Sequence, residues 1–346
     1  FPPLVNYLPN RMYLTSENSP PPMNPKLQKC IEEITFPFYA EHENHIRTGV
    51  DTISQVNVEY LPDKYKKALK TSQLQVLGTF DLVEAVSQSD QDLNEFIPGY
   101  EDLHHSVRRI EFEVRKIEFD IHELKQRKMR LERNGNSVDD LIMKQIGESI
   151  ETFQGMKDEL EKKIPSQWQS EREKFEKLNK KARSVRQKYR RNSDSAYEPL
   201  GQLSAILVQT PMLINMENQL KSIKSVIEEE QPDSAMQRIK KIESSLGNIA
   251  GASPIKSKFS KARRALKGKK PNPEKALQQW QLGMSVYYQE IEWRQLAVNE
   301  LSKPLANYEL LLKDSIGLRM QKKLNKDQAL SVSACKSSHE DISLFF

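Results

Sequence analysis

The nearest this sequence comes to a catalytic or metal centre is Glu41-His42-Glu43-Asn44-His45. His42 and His45 stand at i, i+3, so on a helix they share a face and could hold a divalent metal with a carboxylate. A working site needs a third ligand, and none of compelling type is offered elsewhere. His104-His105, beside Glu101 and Asp102, reads as part of a solvated face. No P-loop, G-x-G-x-x-G, H-E-x-x-H, Cys-x-x-Cys or G-x-S-x-G motif occurs. The expectation is a protein that is not an enzyme, with no catalytic residue, no metal and no cofactor.

Charge offers more than nucleophiles do. Lys180, Lys181, Arg183, Arg186, Lys188, Arg190 and Arg191 form a run of seven cations without an acid. A second run holds Lys256, Lys258, Lys261, Arg263, Arg264, Lys267, Lys269 and Lys270, again uninterrupted by acid. Within it Ile255, Phe259, Ala262 and Leu266 fall on one helical face. A basic amphipathic helix with an aromatic on its apolar side suits an anionic lipid surface, where each nearby cation contributes ~1 kcal/mol. The same charges would attract an acidic protein or nucleic-acid phosphates. Aromatics are not interleaved as a stacking platform and no reading motif occurs, which disfavours nucleic acid. The plainest alternative leaves the charges in solvent and packs Phe259 on the protein's own core.

The elements that must carry these residues are helices. Leu103, Val107, Ile110, Val114, Ile117, Ile121 and Leu124 are spaced alternately four and three apart, a heptad seam for a dimer or an intrachain bundle. A strand there would turn Glu111, Glu113 and Lys116 inward. Pro98-Gly99 predicts a break before the seam, Asn134-Gly135-Asn136 an interruption after it, and Pro165 a kink or restart. Tyr197-Glu198-Pro199 predicts another helix end, before a more apolar helix over Leu203 to Ile227. Asn272-Pro273-Glu274 opens a last long helix, whose seam runs from Leu277 to Leu312 and includes Arg294. Extended to residue 325, it would be about 75 Å long.

The totals agree with thin apolar seams. Hydrophobic residues are 37% of the chain, charged residues 29%, and only 12 of 346 are Gly, too few for an enzyme rich in tight turns. No apolar run approaches the ~18–20 residues that span a bilayer. Cys30 and Cys335 stand far apart, which reads as reduced thiols in a cytoplasmic setting. The start at Phe1 reads as a fragment or processed product. Residues 1–26 read as a Pro-rich tail or linker, in which Pro22 and Pro25 form a PxxP that either docks an SH3 domain or is a disordered lead-in.

Phe96-Ile97-Pro98-Gly99-Tyr100-Glu101-Asp102-Leu103, leading into Arg108-Arg109-Ile110-Glu111-Phe112-Glu113-Val114-Arg115-Lys116-Ile117-Glu118-Phe119-Asp120, resembles the second helix of amphiphysin-type BAR domains. Met156-Lys157-Asp158-Glu159-Leu160-Glu161-Lys162-Lys163-Ile164-Pro165-Ser166-Gln167-Trp168 resembles the end of that helix and the start of the third. The resemblance covers about residues 27–230 and departs at Asn134-Gly135-Asn136. It implies a dimer laying a basic concave face on curved membrane, with Lys162, Lys163, Arg183, Arg186, Lys188, Arg190 and Arg191 near the tip.

The expected fold is all-α: an elongated bundle of long kinked coiled-coil helices, BAR-like over 27–230, with a helical extension at 231–325 and a mobile C-terminus at 326–346. The expected role is a dimerising module, homo- or heteromeric, peripheral to an anionic membrane or the cell cortex and binding other proteins. The alternative is a coiled-coil scaffold or tether without lipid contact.

Overall fold

A computed structural model of the chain describes residues 25–134, 139–268, 270–313, 315–317, 320 and 324–334. Among these the chain is all-helical, with no strand. It divides into two compact units, one formed by 1–83 with 189–338, the other mainly by 84–188. This division differs from boundaries at 27, 231 and 326, because the segments on either side of residue 230 share one core.

The first unit opens with α1, Pro25–Ser54, which buries Ile31, Tyr39, Ile46, Val50 and Ile53 at helical spacing. It packs with residues 63–83 of α2, Asp63–Asn134, and residues 189–208 of α4, Trp168–Val208. The Tyr39 ring meets Phe80 edge-on at 5.9 Å, and Phe36 meets Tyr189 at 5.1 Å. Between α2 and α4, the Ser72 hydroxyl donates to the Ala196 carbonyl. The Asn192 amide donates to the Gln75 carbonyl at 2.7 Å.

The same unit continues through α5 (Thr210–Ile214), α6 (Glu217–Glu229), α7 (Pro232–Gly247), α8 (Ser253–Ala265) and α9 (Pro273–Glu300). Leu220, Ile223, Ile239, Leu246, Ile255 and Phe259 are buried in their common core. The Trp280 indole donates to the Leu220 carbonyl at 2.9 Å, tying α9 to α6. Asn272 caps α9, its side chain accepting from the Lys275 N–H at 2.8 Å, as the Asn-Pro signal predicts. Arg294 is fully buried at its seam position because Glu290, one turn earlier, accepts from its Nε and Nη2 at 3.2 and 3.1 Å.

Four expectations are corrected here. The predicted helix to residue 325 ends at Glu300, and α10 (Ser302–Leu312) follows with Pro304 in its first turn, where no helical N–H is lost. Leu203 to Ile227 is not one helix but the end of α4, then α5 and α6. Pro98 and Pro199 do not end helices: α2 and α4 run through both, with Tyr100 and Leu200 buried just beyond. A Pro inside a helix costs about 3 kcal/mol, which tertiary packing at these two sites offsets.

The fourth concerns the C-terminus. Residues expected to be mobile from 326 instead form α11, Lys326–Ser333, opened by an Asn325–Gln328 capping box and packed on α1 through Val332 and Ile31. Residues 335–346 and the Pro-rich 1–24 lie outside the described residues, as does Cys335. Cys30 is disulfide-bonded, which corrects the reading of reduced thiols.

In the second unit, residues 84–134 of α2 pack with α3 (Asp139–Glu161) and residues 168–188 of α4. Tyr100 stacks on Phe175 at 4.6 Å and lies parallel to Trp168 at 5.9 Å. Val107, Val114, Ile117 and Ile121 are buried, and Leu103, Ile110 and Leu124 are half-buried. The heptad seam is thus filled from within the chain. His104 joins this core, buried against Tyr100 and Trp168, contrary to the solvated face expected of it.

Candidate functional site: two basic surfaces

His42 is engaged already: it stacks on Phe38 at 4.0 Å and its Nδ1 lies 3.1 Å from the Phe38 carbonyl. Among the described residues no group of three His, Cys, Asp or Glu gathers to hold a metal ion.

The first basic run lies on α4, and much of its charge is met by acids distant in sequence. In the second unit, Lys181 Nζ donates to Asp92 at 2.8 Å and Arg186 pairs with Asp90. Lys181, and then Gln88, hold the Asp92 carboxyl below the ordinary carboxylate range. In the first unit, Arg190 Nη2 reaches the buried Glu32 on α1 at 2.6 Å. These three cations are structural. Lys180, Arg183, Lys188 and Arg191 are exposed. Asp90, Asp92 and Glu32 lie 89 to 158 residues away along the chain, so no local pattern points to them.

The second run lies on α8 and its exit loop. Pro254 sits in the first turn and Arg263 and Arg264 in the last, where cations favour the negative end of the helix dipole. Ile255, Phe259 and Ala262 are fully buried, and Leu266 nearly so. Phe259 occupies room that α9 leaves at Gly283, where an added Cβ would stand 3.1 Å from its ring. Phe259 is therefore no lipid-contacting residue: withdrawing it would forfeit roughly 2–3 kcal/mol of burial.

Arg263 is paired with the buried Glu243 of α7. Lys256 and Lys258 are half-exposed, and Lys261, Arg264, Lys267 and Lys270 are exposed. None of these six has an ion pair among the described residues. Lys269 lies outside the described residues.

No protein-family model, curated protein or solved structure matches this chain.

Sequence reasoning passed over Lys240 and Lys241, which are exposed on α7, the helix packed against α8. Their signal was compositional. Residues 232–270 hold eleven Lys and Arg against two acids, a net +9, while the whole chain is only +5. The α7–α8 hairpin therefore carries the chain's positive balance, and the remainder is net acidic. No helix among the described residues is long and apolar enough to cross a membrane.

Proposed function

We propose that this chain is a non-enzymatic helical module that adheres peripherally to an anionic membrane surface through the α7–α8 hairpin and organises partners there. The observation that carries the reading is the unpaired charge of Lys256, Lys258, Lys261, Arg264, Lys267 and Lys270 around one short helix, with its apolar face committed to the core. Such a surface binds by charge and without insertion, so its affinity falls steeply with salt. The resemblance of Phe96–Asp120 and Met156–Trp168 to amphiphysin-type BAR domains supports an elongated dimer as the particular form. A cytoplasmic or cortical setting belongs to the same proposal, although oxidised Cys30 removes the support that reduced thiols gave it.

Vesicle co-sedimentation tests this reading. Phosphatidylserine-containing vesicles are expected to pull the chain down at low salt, and phosphatidylcholine vesicles are not. Lys261→Glu, Arg264→Glu and Lys267→Glu together abolish that binding, while Lys181→Glu leaves it largely intact. Equal recovery on both vesicle types, or on neither, rejects the proposal.

A scaffold without lipid contact is the second reading, and one observation favours it. Phe112 and Phe119 are 52% and 64% exposed, seven residues apart on the side of α2 opposite its buried seam. A partner helix laid there would cover both rings. Light scattering of the chain, alone and with Phe112→Lys and Phe119→Lys, reads this directly: a self-association that survives both changes does not use this face.

A further inference from the structure

An open cleft of about 950 Å³ lies within the first unit, between the end of α4 with Gln209 (197–209) and the end of α10 with Lys313 (306–313). Its space comes from small residues. Gly201 and Ala205 on α4 and Ala306 on α10 line it, with Ala250 and Gly251 from the α7–α8 turn. The turn is held in place by Gln209, whose side-chain oxygen accepts from the Ala250 N–H at 2.7 Å. Gly251 adopts a left-handed φ of 71°, and a Cβ there would stand 2.7 Å from Arg294 Nη2 and 3.0 Å from Ile206. The turn thus closes over the buried Arg294 without a side chain of its own.

The lining has two chemistries. Val208, Leu310 and Met320 are 76%, 67% and 46% exposed, a set of uncovered apolar side chains meeting at one cleft. Among them stands Glu309, half-buried, accepting a hydrogen bond from Ser204 and making no ion pair among the described residues. Burial pushes its carboxyl above the ordinary range; Tyr197 is raised as well, by its own burial first and by Glu309 second. A carboxylate drawn into apolar surroundings without a cation is a costly arrangement that a bound cation relieves. Glu198 adds a second negative group to the lining, against the single cation Lys313. The volume is that of a small-molecule site, while a docked helix or strand would need a longer groove.

We propose that this cleft binds a small organic cation, a primary ammonium carried on an apolar body, with the ammonium on Glu309 and the body against Val208, Leu310 and Met320. The cleft shares the Ala250–Gly251 turn with the α7–α8 hairpin but none of its cations, so the proposal does not rest on the membrane reading.

Titration calorimetry of the full chain with 2-phenylethylamine, 2-phenylethanol and phenylacetate tests it. The amine is expected to bind saturably and about tenfold more tightly than the alcohol, with phenylacetate weakest. Glu309→Gln should bring the amine down to the alcohol's affinity, and Ala306→Phe, which fills the cleft, should abolish both. Circular dichroism confirms that each variant is folded. The proposal is overturned if the wild-type chain binds amine and alcohol equally, or binds no amine saturably. Folded Glu309→Gln or Ala306→Phe that binds the amine as the wild type does overturns it as well. The comparison of three ligands on the unaltered chain decides the matter even if a variant does not fold.

Discussion

Arg263 grips the Glu243 carboxylate with two hydrogen bonds, Nε to Oε1 at 2.8 Å and Nη2 to Oε2 at 3.2 Å, and so joins α8 to α7. Glu243 is buried while Arg263 is 28% exposed, so solvent screens the pair only in part. Arg263→Met is expected to destabilise the chain by about 2 kcal/mol, because it leaves a buried carboxylate without its partner. Replacing both residues by Met should recover most of that loss. Urea unfolding of the single and double variants measures both effects, and a double variant no better than the single one would contradict the account.

Tyr308 presents the reverse case, a buried hydroxyl with no hydrogen-bond partner among the described residues. Tyr308→Phe removes the unsatisfied group and should raise stability by about 1 kcal/mol. Burial also pushes the Tyr308 pKa well above its ordinary value. The folded state therefore holds the neutral phenol, and its contribution is complete below the unfolded tyrosine pKa of about 10 and lost as pH rises above it. Thermal melts should show a shallower alkaline decline for Tyr308→Phe than for the wild type.

Gly317 has a left-handed φ of 70°, and a Cβ there would fall 2.1 Å from the Tyr197 Cβ. Its N–H donates to the Ser193 hydroxyl at 2.7 Å. Gly317→Ala is expected to cost roughly 3 kcal/mol, from backbone strain together with displacement of Tyr197. Ser193→Ala, which removes that acceptor without straining the backbone, should cost about 1 kcal/mol. Denaturation midpoints in that order test the assignment.

For Glu309 the pH dependence runs against that of a salt-bridged carboxylate. Its pKa is raised by burial, with the Ser204 hydrogen bond opposing. The folded state thus favours the protonated form, and stability falls as pH climbs from the ordinary glutamate range through the raised value. Glu309→Gln should melt with the wild type near about pH 4 and above it near about pH 7. A gap that shrinks as pH rises would reverse the sign and refute the burial account.

How far the sequence disclosed all this is clearest at Phe259. Its spacing with Ile255, Ala262 and Leu266 identified the apolar face of α8 correctly. Whether that face met lipid or protein depended on the opening at Gly283, two dozen residues onward, which no local window contains. The heptad seam at Val107 to Ile121 was legible for the same reason that Phe259 was, and its occupant was hidden in the same way. Pro98 and Pro199 misled because a proline's local cost was set against packing that only the folded chain reveals. Arg294 broke the apolar rhythm of α9, and the pairing with Glu290 one turn before it, which makes its burial tolerable, emerged only from the structure. The acids that neutralise Lys181, Arg186 and Arg190 were the least legible, since attraction between charges leaves no periodic trace.

Among the described residues the second unit is one uninterrupted stretch of chain, 84–188, whereas the first is assembled from the two segments that flank it. On a ribosome the order of completion is then inverted relative to the order of emergence. Residues 25–83 appear first but must wait for 189–208 before Tyr39, Phe80 and Tyr189 can meet. Meanwhile Tyr100, Phe175 and Trp168 of the inserted segment have all emerged and can pack together. Maturation from the middle outward is the order this connectivity predicts, with closure of the first unit, which joins distant segments, expected to be the slower step.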